Sequence, residues 1–472
     1  PEVTALLDAE QHAAIAAPAD RGLLVIGSAG SGKTTVALHR LARLHARDPL
    51  RVPLERTRVI VPEVGLAKLS RRLLGPLGMP DAQVSTLDDW ALELARRTFG
   101  GVPRIGDETP AIVVRLKRHP ALYDGLRARL AKLPPHRAQT IPRLRRVLGD
   151  LLSDRAFLAS VIDASDGDLP RYAAEETVRH TMRQLDDASE RHLASITDPS
   201  AKRAIDGRSV SADTPEATGG SIDVEDLPIF LFVRAWRAGL DAPRIAHLVI
   251  DEAEDFSLFE LHVLGALLDP TRSVTLAGDD AQRTGTGFAG WARALEVLGV
   301  RGASECRLSV SYRCPQPIVT LAQTILGREA PDAPAKAARG GAPIARDAFQ
   351  GEPHAMLVLA DALRDLLDRE PRAAIAVIAE SADTAHRVHA ALADLPRTRL
   401  VIDGDFGFDP GLDVTCVDAV KGLEFDYVVV PDLTASAYPD EPEARRRLHV
   451  AVTRAAYQVW LITPGTASPI DL

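Results

Sequence analysis

The run "LLVIGSAGSGKTTVALHR" at 23–40 is the feature that most narrows how this chain can fold. Five residues that read as a buried strand end on Gly27. Gly32-Lys33-Thr34 then opens a helical pattern, which completes G-x-x-x-x-G-K-[ST] between a strand and a helix. The glycines let backbone N–H groups curl around phosphate, and the helix N-terminus adds partial positive charge. Lys33 reaches the terminal phosphates while Thr34 coordinates magnesium. The alternative is a Gly-rich turn capping a helix, and the correct flanking elements on both sides weigh against it. Only seven of the 56 basic residues are lysines. Arg is thus the default cation of this chain, and Lys33 stands where a compact charge on a flexible stem is needed.

Further runs resemble the first: 58–62, 247–251, 274–278, 373–380 and 427–431 are short, aliphatic and end in turn or acidic residues. Separated by helical patterns, they indicate strands buried on both faces of parallel sheets, so the class is α/β. Between about residue 90 and residue 240 the strand signal gives way to amphipathic, Arg-rich segments, which read as a helical insertion. Within it, 101–150 holds eleven Lys or Arg against four acids, either a partner signal or a basic solvated helix face. The polar stretch 196–226 is expected to be a mobile loop, and 328–353 a flexible linker or surface loop. Cys306, Cys314 and Cys416 form no CxxC pair and no zinc spacing. No run approaches the roughly 18 apolar residues of a membrane helix, and no leader opens the chain, so the cytoplasm is the expected compartment, with no membrane partner. The first residue is Pro1, and anything upstream of it is invisible here.

The segment "HLVIDEAEDFS" at 247–257 gathers Asp251, Glu252, Glu254 and Asp255 directly behind a strand. Beside a phosphate loop, Asp251 is expected to hold magnesium and Glu252 to act as general base on water. Asp255 is expected to cap the following helix. The alternative is a set of acids at a helix N-terminus, favourable with its dipole, and the phosphate loop in the same chain weighs against it.

Taken in order, these residues resemble the superfamily 1 helicases of the UvrD/Rep type. "LDAEQHAAI" resembles the Q motif, which implies that Gln11 reads adenine. "VTLAGDDAQRT" resembles motif III and implies a γ-phosphate sensor at Gln282. "LSVSYRCPQPI" resembles motif IV, with Tyr312 stacked on adenine and Arg313 on the γ-phosphate. "VDAVKGLEFDYVVV" resembles motif V, with Gly422 near the nucleotide and Glu424 on the ribose. "RRRLHVAVTRA" resembles motif VI, with Arg454 as a second arginine finger. Taken singly, Arg313 and Arg454 read as surface or salt-bridged arginines. The resemblance implies an ATPase using ATP and Mg2+. Nucleotide would lie on Gly27, Ser28, Ala29, Gly30, Ser31, Gly32, Lys33, Thr34, Thr35 and Arg40, and the metal on Thr34 and Asp251. It also implies two RecA-like parallel-sheet P-loop domains with a helical insertion in the first. The expected boundaries are 1–95, 96–230 for the insertion, 231–303 and 304–472.

Departures narrow the resemblance. Between Arg313 and Lys421 there is room for one α/β domain and none for a second accessory domain. Asp88 and Asp89 stand where motif Ib would meet DNA phosphates, and would repel them. Phe288 or Trp291 could replace a base-stacking aromatic, though buried packing is the favoured role for each. Glu254 replaces the family's Gln, adding repulsion near the γ-phosphate unless it is protonated or paired, for instance with Arg283. The whole is most similar to the HelD-like branch, whose members carry a coiled-coil arm before the Q motif. That branch implies an RNA polymerase partner, with ATP hydrolysis coupled to removing polymerase from nucleic acid. The alternative is a single-stranded DNA translocase or 3'-5' helicase in repair. A nucleotide-binding scaffold without catalysis sits poorly with Glu252, Arg313 and Arg454 occurring together.

Overall fold

The computed structural model describes residues 7–106, 109–132, 140–185, 221–283, 287–331 and 335–472. The apolar runs are strands, and their neighbours pair with them in parallel. The first sheet comprises β1 (Leu23–Gly27), β2 (Thr57–Val61), β3 (Val84–Thr86), β4 (His247–Ile250), β5 (Val274–Gly278) and β6 (Ser304–Leu308). Its order is β3-β2-β4-β5-β1-β6, and every pairing is parallel. A short parallel pair follows, β7 (Val310–Ser311) with β8 (Lys336–Ala337). The second sheet contains β9 (Ala345–Phe349), β10 (Ala374–Ala379), β11 (Thr398–Val401), β12 (Gly411–Cys416), β13 (Phe425–Val430) and β14 (Ala455–Pro464). Its order is β11-β12-β10-β13-β14-β9, again parallel throughout.

Both faces of each sheet are covered, which is why the central strands read as continuous aliphatic runs rather than alternating ones. Val25, Val249 and Val377 are wholly buried, each contributing about 1.5–3 kcal/mol of transfer free energy. On one face of the first sheet lie α1 (Ala9–Ala16), α2 (Lys33–Arg47) and α3 (Val64–Leu74). The other face carries α4 (Leu87–Phe99) and the inserted helices α5 (Ala111–Arg118), α6 (Pro120–Ala131), α7 (Ile141–Leu152), α8 (Arg155–Asp163) and α9 (Tyr172–Gln184). These helices share one continuous apolar cluster with Leu24, Ile60, Leu248 and Ile250 of the sheet. The insertion is therefore rooted in the core of the first sheet. None of the described helices is long and apolar enough to cross a membrane.

Three expectations need correction. The segment 328–353 is not a linker: its described part contains β8 and β9, and β9 closes the edge of the second sheet against β14. "ARDAF" was unreadable as a strand because three of its five side chains are exposed at an edge. Most of the loop expected at 196–226 lies outside the described residues, but its far end is ordered. Ile222 is buried and bridges Ile105, and Asp223 and Asp226 are interior. Finally, the basic excess of 101–150 is in part internal wiring rather than a solvated face. Lys117 is fully enclosed, 2.5 Å from Asp223 and 2.6 Å from Asp226. Arg118 donates to the Asp255 carbonyl at 2.6 Å and pairs with Glu260 at 2.9 Å. Arg129 pairs with Asp154, and Arg115 with Glu443.

The Lys117 cluster joins α5, α9 and the entry to the helix Asp226–Ala238. Asp223 also accepts from His180 at 2.9 Å and from Gln184 at 2.7 Å. Burial alone would raise the Asp223 carboxyl, but His180 and Lys117 hold it below the ordinary aspartate range. Removing one partner of a buried pair leaves an uncompensated charge, which costs about 3–5 kcal/mol. Lys117→Met should therefore lower the unfolding free energy by about that amount in urea titration. A loss under about 1 kcal/mol would show the pair to be worth no more than a surface bridge.

Candidate functional site

The phosphate-loop sequence turns where its glycines permit. Gly30 and Gly32 adopt φ of 75° and 87°, and Gly32 is the left-handed N-cap of α2, whose first-turn N–H groups have no side-chain cap. A β-carbon on Gly30 would stand 2.5 Å from Cβ of Arg313, and one on Gly32 would stand 2.7 Å from Nε2 of Gln11. Both glycines are thus required by close approach as well as by φ. The chain segments that crowd them are those expected to carry motif IV and the Q motif.

Those segments dock through the loop backbone. Tyr312 donates its N–H to the Gly30 carbonyl at 2.9 Å, and the Ser311 hydroxyl donates to Ala29 at 2.8 Å. Gln11 donates from Nε2 to the Ser31 carbonyl at 2.9 Å and accepts the Asp8 N–H at 3.2 Å, inside a capping box that starts α1. Its amide braces the loop from the side of α1. The Tyr312 hydroxyl donates to Asp8 at 2.6 Å, so its half-exposed ring lies beside the same cap.

Lys33 is buried, with Nζ 3.4 Å from the Ser28 carbonyl and 4.0 Å from Asp279. The Thr34 hydroxyl donates to Asp251 at 2.6 Å. Thr35 lies on the first turn of α2, partly buried. The hydroxyls of Ser28 and Ser31 are buried and have no partner among the described residues. These features fit a polyphosphate with a divalent cation: free donors on a glycine cradle, an uncapped helix N-terminus, and two adjacent hard oxygen ligands at Thr34 and Asp251. Arg40 does not belong to that cradle. Two turns along α2, wholly buried, it donates to Thr275 Oγ1 at 2.6 Å and to the Pro18 carbonyl at 2.7 Å, tying α2 to β5. Burial lowers its pKa to about 10.

At the end of β4 the four acids part company. Asp251 is pushed up to about 7 by burial and then by the Glu252 charge. Burial works upward on Glu252 as well, yet Lys33 and Arg454 among its neighbours hold it below the usual glutamate range. Glu252 sits at φ 49°, ψ 49°, a left-handed conformation that costs about 1–3 kcal/mol for a residue with a side chain. Glu254 is 1% exposed, and neither carboxyl oxygen has a hydrogen-bond partner among the described residues. Burial, then the charges of Glu252 and Asp255, hold it well above the ordinary range, so it is a neutral acid, without a bond to Arg283. Asp255 does not cap the next helix. Ser257 does, in a capping box with Glu260, while the Asp255 carboxylate accepts Lys421 and its carbonyl accepts Arg118.

The second sheet supplies the opposite wall. Arg454 is 1% exposed and donates to Gln282 Oε1 and, at 3.0 Å, to the Val450 carbonyl. Gln282 in turn donates to Asp279 at 2.7 Å. Burial pushes Arg454 down to about 10, with Arg313 adding to the effect. Arg313 donates to Glu424 at 2.8 Å and to the Leu423 carbonyl at 3.2 Å, so the residue expected on ribose is occupied with the residue expected on the γ-phosphate. Gly422 (φ 71°) abuts Leu66 of α3. A cleft of about 830 Å³ opens between the walls, lined by Gly27, Ser28 and Asp279 on one side and Cys314, His449 and Thr453 on the other. Phe288 and Trp291 pack edge to face at 4.6 Å, with Phe288 buried, so packing describes both. Thr86 caps α4, its hydroxyl accepting the Asp89 N–H at 3.1 Å and donating to the Asp89 carboxylate at 2.8 Å, and burial raises Asp88 against the Arg118 charge. The sequence reading missed Lys421, Arg118, Asp279 and Ser311. A lysine beside the motif V glycine in a lysine-poor chain was the one legible signal among them.

Residues 412–462 match the family profile described as a UvrD-like helicase C-terminal domain. The matched span runs from β12 into β14 and contains Lys421, Gly422, Glu424 and Arg454. Among solved structures, the chain is similar to the crystal structure of the C-terminal domain of a possible DNA helicase from Lactobacillus plantarum WCFS1. The identity is 24% and the TM-score 0.29, over 34% of this chain and 91% of that one. A comparison with curated proteins found no match.

The neutral Glu254 has a consequence for stability. Above about pH 4.3 the unfolded chain loses this proton while the buried carboxyl keeps it, so its contribution to folding declines as pH rises. Glu254→Gln should remove that decline, and urea titrations should show the variant gaining on the parent by up to about 1.4 kcal/mol per pH unit in that window. A parallel pH profile for the two proteins would mean that Glu254 is charged in the fold.

Proposed function

We propose that the two parallel sheets are a RecA-like pair and that the protein is an ATPase of the UvrD/Rep-like helicase type. The observation that carries this reading is the joint at the phosphate loop. Gln282 from the first sheet meets Arg454 from the second, and Arg313 is packed against Gly30. Bound ATP with Mg2+ would supply a terminal phosphoanhydride for attack by water. Lys33 would hold the terminal phosphates, and Thr34 with Asp251 would hold the cation. Glu252 accepts the proton of water, for which its depressed pKa keeps it ionised. Arg313 and Arg454 bring positive charge from the second sheet to the charge that develops on the phosphoryl oxygens, so turnover requires both walls in place.

For the coupled work, we infer remodelling or release of RNA polymerase from nucleic acid, the activity of the HelD-like branch the sequence resembles. Its support is that the inserted helices connect to the acidic edge through Arg118 and Asp255. A second reading, movement along single-stranded DNA, would use a cleft of about 480 Å³ where Arg115, His119, Arg283 and Arg446 meet, with Asp124, Asp166, Asp168 and Glu443 also in its lining. ATPase rates measured alone, with single-stranded DNA and with RNA polymerase separate the two. Stimulation by polymerase with a flat response to DNA supports the first. Strong, salt-sensitive stimulation by DNA alone supports the second, since phosphate contacts carry that salt dependence.

Lys33→Ala should abolish hydrolysis. Glu252→Gln should keep nucleotide affinity while lowering kcat by about 10²–10⁴. Arg454→Ala should lower kcat by about 10³ or more, as loss of an arginine finger does. Unchanged turnover in Glu252→Gln, measured by phosphate release, would leave a nucleotide-binding scaffold as the reading.

A further inference from the structure

A second crevice lies outside the carboxyl ends of β10 and β13, where open parallel sheets place ligands. It encloses about 340 Å³ and is lined by Glu352, Glu380, Thr384, Asp432, Thr434 and Ser436 among others. None of these residues belongs to the phosphate site. Most of its charges are already matched. Arg447 donates to Asp418 at 2.6 Å and lies 3.3 Å from the Glu380 carboxylate, and Arg387 lies 3.6 Å from Glu352. Asp432 is the exception. It is 8% exposed; its Oδ2 accepts the Glu380 N–H at 2.9 Å, but Oδ1 is buried and has no partner among the described residues.

A buried carboxylate oxygen without a donor is costly, so the missing group is a donor, and with Glu380 and Glu352 matched by Arg447 and Arg387 the charge left over is that of Asp432, which a cationic donor would match. A bare metal ion is a poor candidate, because no group of three His, Cys, Asp or Glu side chains among the described residues could hold one. Thr384 Oγ1 is taken by Ser381 and Arg387, but the exposed Ser436 hydroxyl, bonded to Thr434 at 3.1 Å, adds a neutral acceptor to the lining beside the free Asp432 Oδ1. That set suits –NH3⁺, which carries three donors and no acceptor. The cavity also has room for the short aliphatic chain behind it, against Met356 and Val388.

We propose that this cavity binds an organic ammonium group, with Asp432 as its counter-ion. The group is carried either by a free aliphatic diamine or by a lysine side chain of a partner protein. Burial first, then the Glu380 charge, pushes Asp432 up to about 7, against the backbone N–H of Glu380 and the Arg387 charge. An ammonium ion arriving beside it favours the ionised form, so binding near neutrality should release a proton.

The test is isothermal titration of the full chain with putrescine and, separately, with Nα-acetyl-lysine methylamide, in buffers of different ionisation heat. We expect saturable one-site binding with proton release. Asp432→Asn, which preserves shape, should weaken it about tenfold or more while leaving the basal ATPase rate unchanged. Thr384→Lys, which supplies a tethered ammonium across the cavity, should abolish binding of either probe and serves as the deciding variant if Asp432→Asn does not fold. Binding of putrescine alone identifies a free amine as the ligand, and binding of the lysine derivative alone identifies a side chain. Absence of saturable binding by both probes, or the parent's affinity retained in Asp432→Asn or in Thr384→Lys, overturns the proposal.

Discussion

Asp251, Glu252, Glu254, Asp255 and Asp279 crowd the carboxyl edge of the first sheet, and that edge cannot hold them without cations drawn from elsewhere in the chain. Lys33 comes from the helix after the phosphate loop. Lys421 and Arg454 come from the second sheet, and Arg118 from the insertion. In a medium of low effective dielectric, such charges are tolerable only as a matched set. The two sheets and the insertion are thus tied together by charge at the place where their strands end. Each cation that arrives also sets the protonation of the acids it meets. Glu252 is held low by Lys33 and Arg454 among its neighbours, whereas at Glu254 burial and the charges of Glu252 and Asp255 outweigh Lys33 and keep the proton on.

The backbone is bent to serve the same edge. Glu252 occupies left-handed space, and Gly30 and Gly32 give up their side-chain positions to Arg313 and Gln11. Strain in the first case and close approach in the second are stable only because neighbouring segments fix them. Ser311 and Tyr312 bond to the loop from the chain that links the sheets, and Gln11 bonds to it from α1. Access to the loop is therefore set by two segments distant in sequence.

Much of this was legible from the residues. The buried central strands were visible because strands covered on both faces must be apolar throughout, and the phosphate loop because its glycines, lysine and threonine have one geometry in common. What escaped were elements whose pattern is set by position in the sheet. β6 and β9 lie at edges and carry charged, exposed side chains, while β12 contains Asp413, acceptable in a buried strand because Arg399 bonds it at 2.6 Å. Pairings distant in sequence were equally hidden. No local pattern shows that Lys421 reaches Asp255, or that Lys117 is enclosed by two aspartates. Arg40 illustrates the converse error: proximity in sequence to the loop suggested a ligand contact, and helix geometry carries it two turns away into the core.

Lys117 and Arg118 bring these strands of argument together. They are adjacent on the last turn of α5 and serve different structures. Lys117 is locked to Asp223 and Asp226 within the insertion, while Arg118 bonds the Asp255 carbonyl and Glu260 at the acidic edge. Asp255 is three residues from Glu252 and is also the acceptor of Lys421 from the second sheet. A displacement of α5 cannot leave both residues in place, because their anchors lie on different segments and a helix turn is stiff over two residues. A force applied to the inserted helices would therefore reach the Asp255 carbonyl through one side chain, on the same residue whose carboxylate registers the position of the second sheet. The Lys117 cluster makes that transmission firm, since a soft insertion would absorb the movement before α5 shifted.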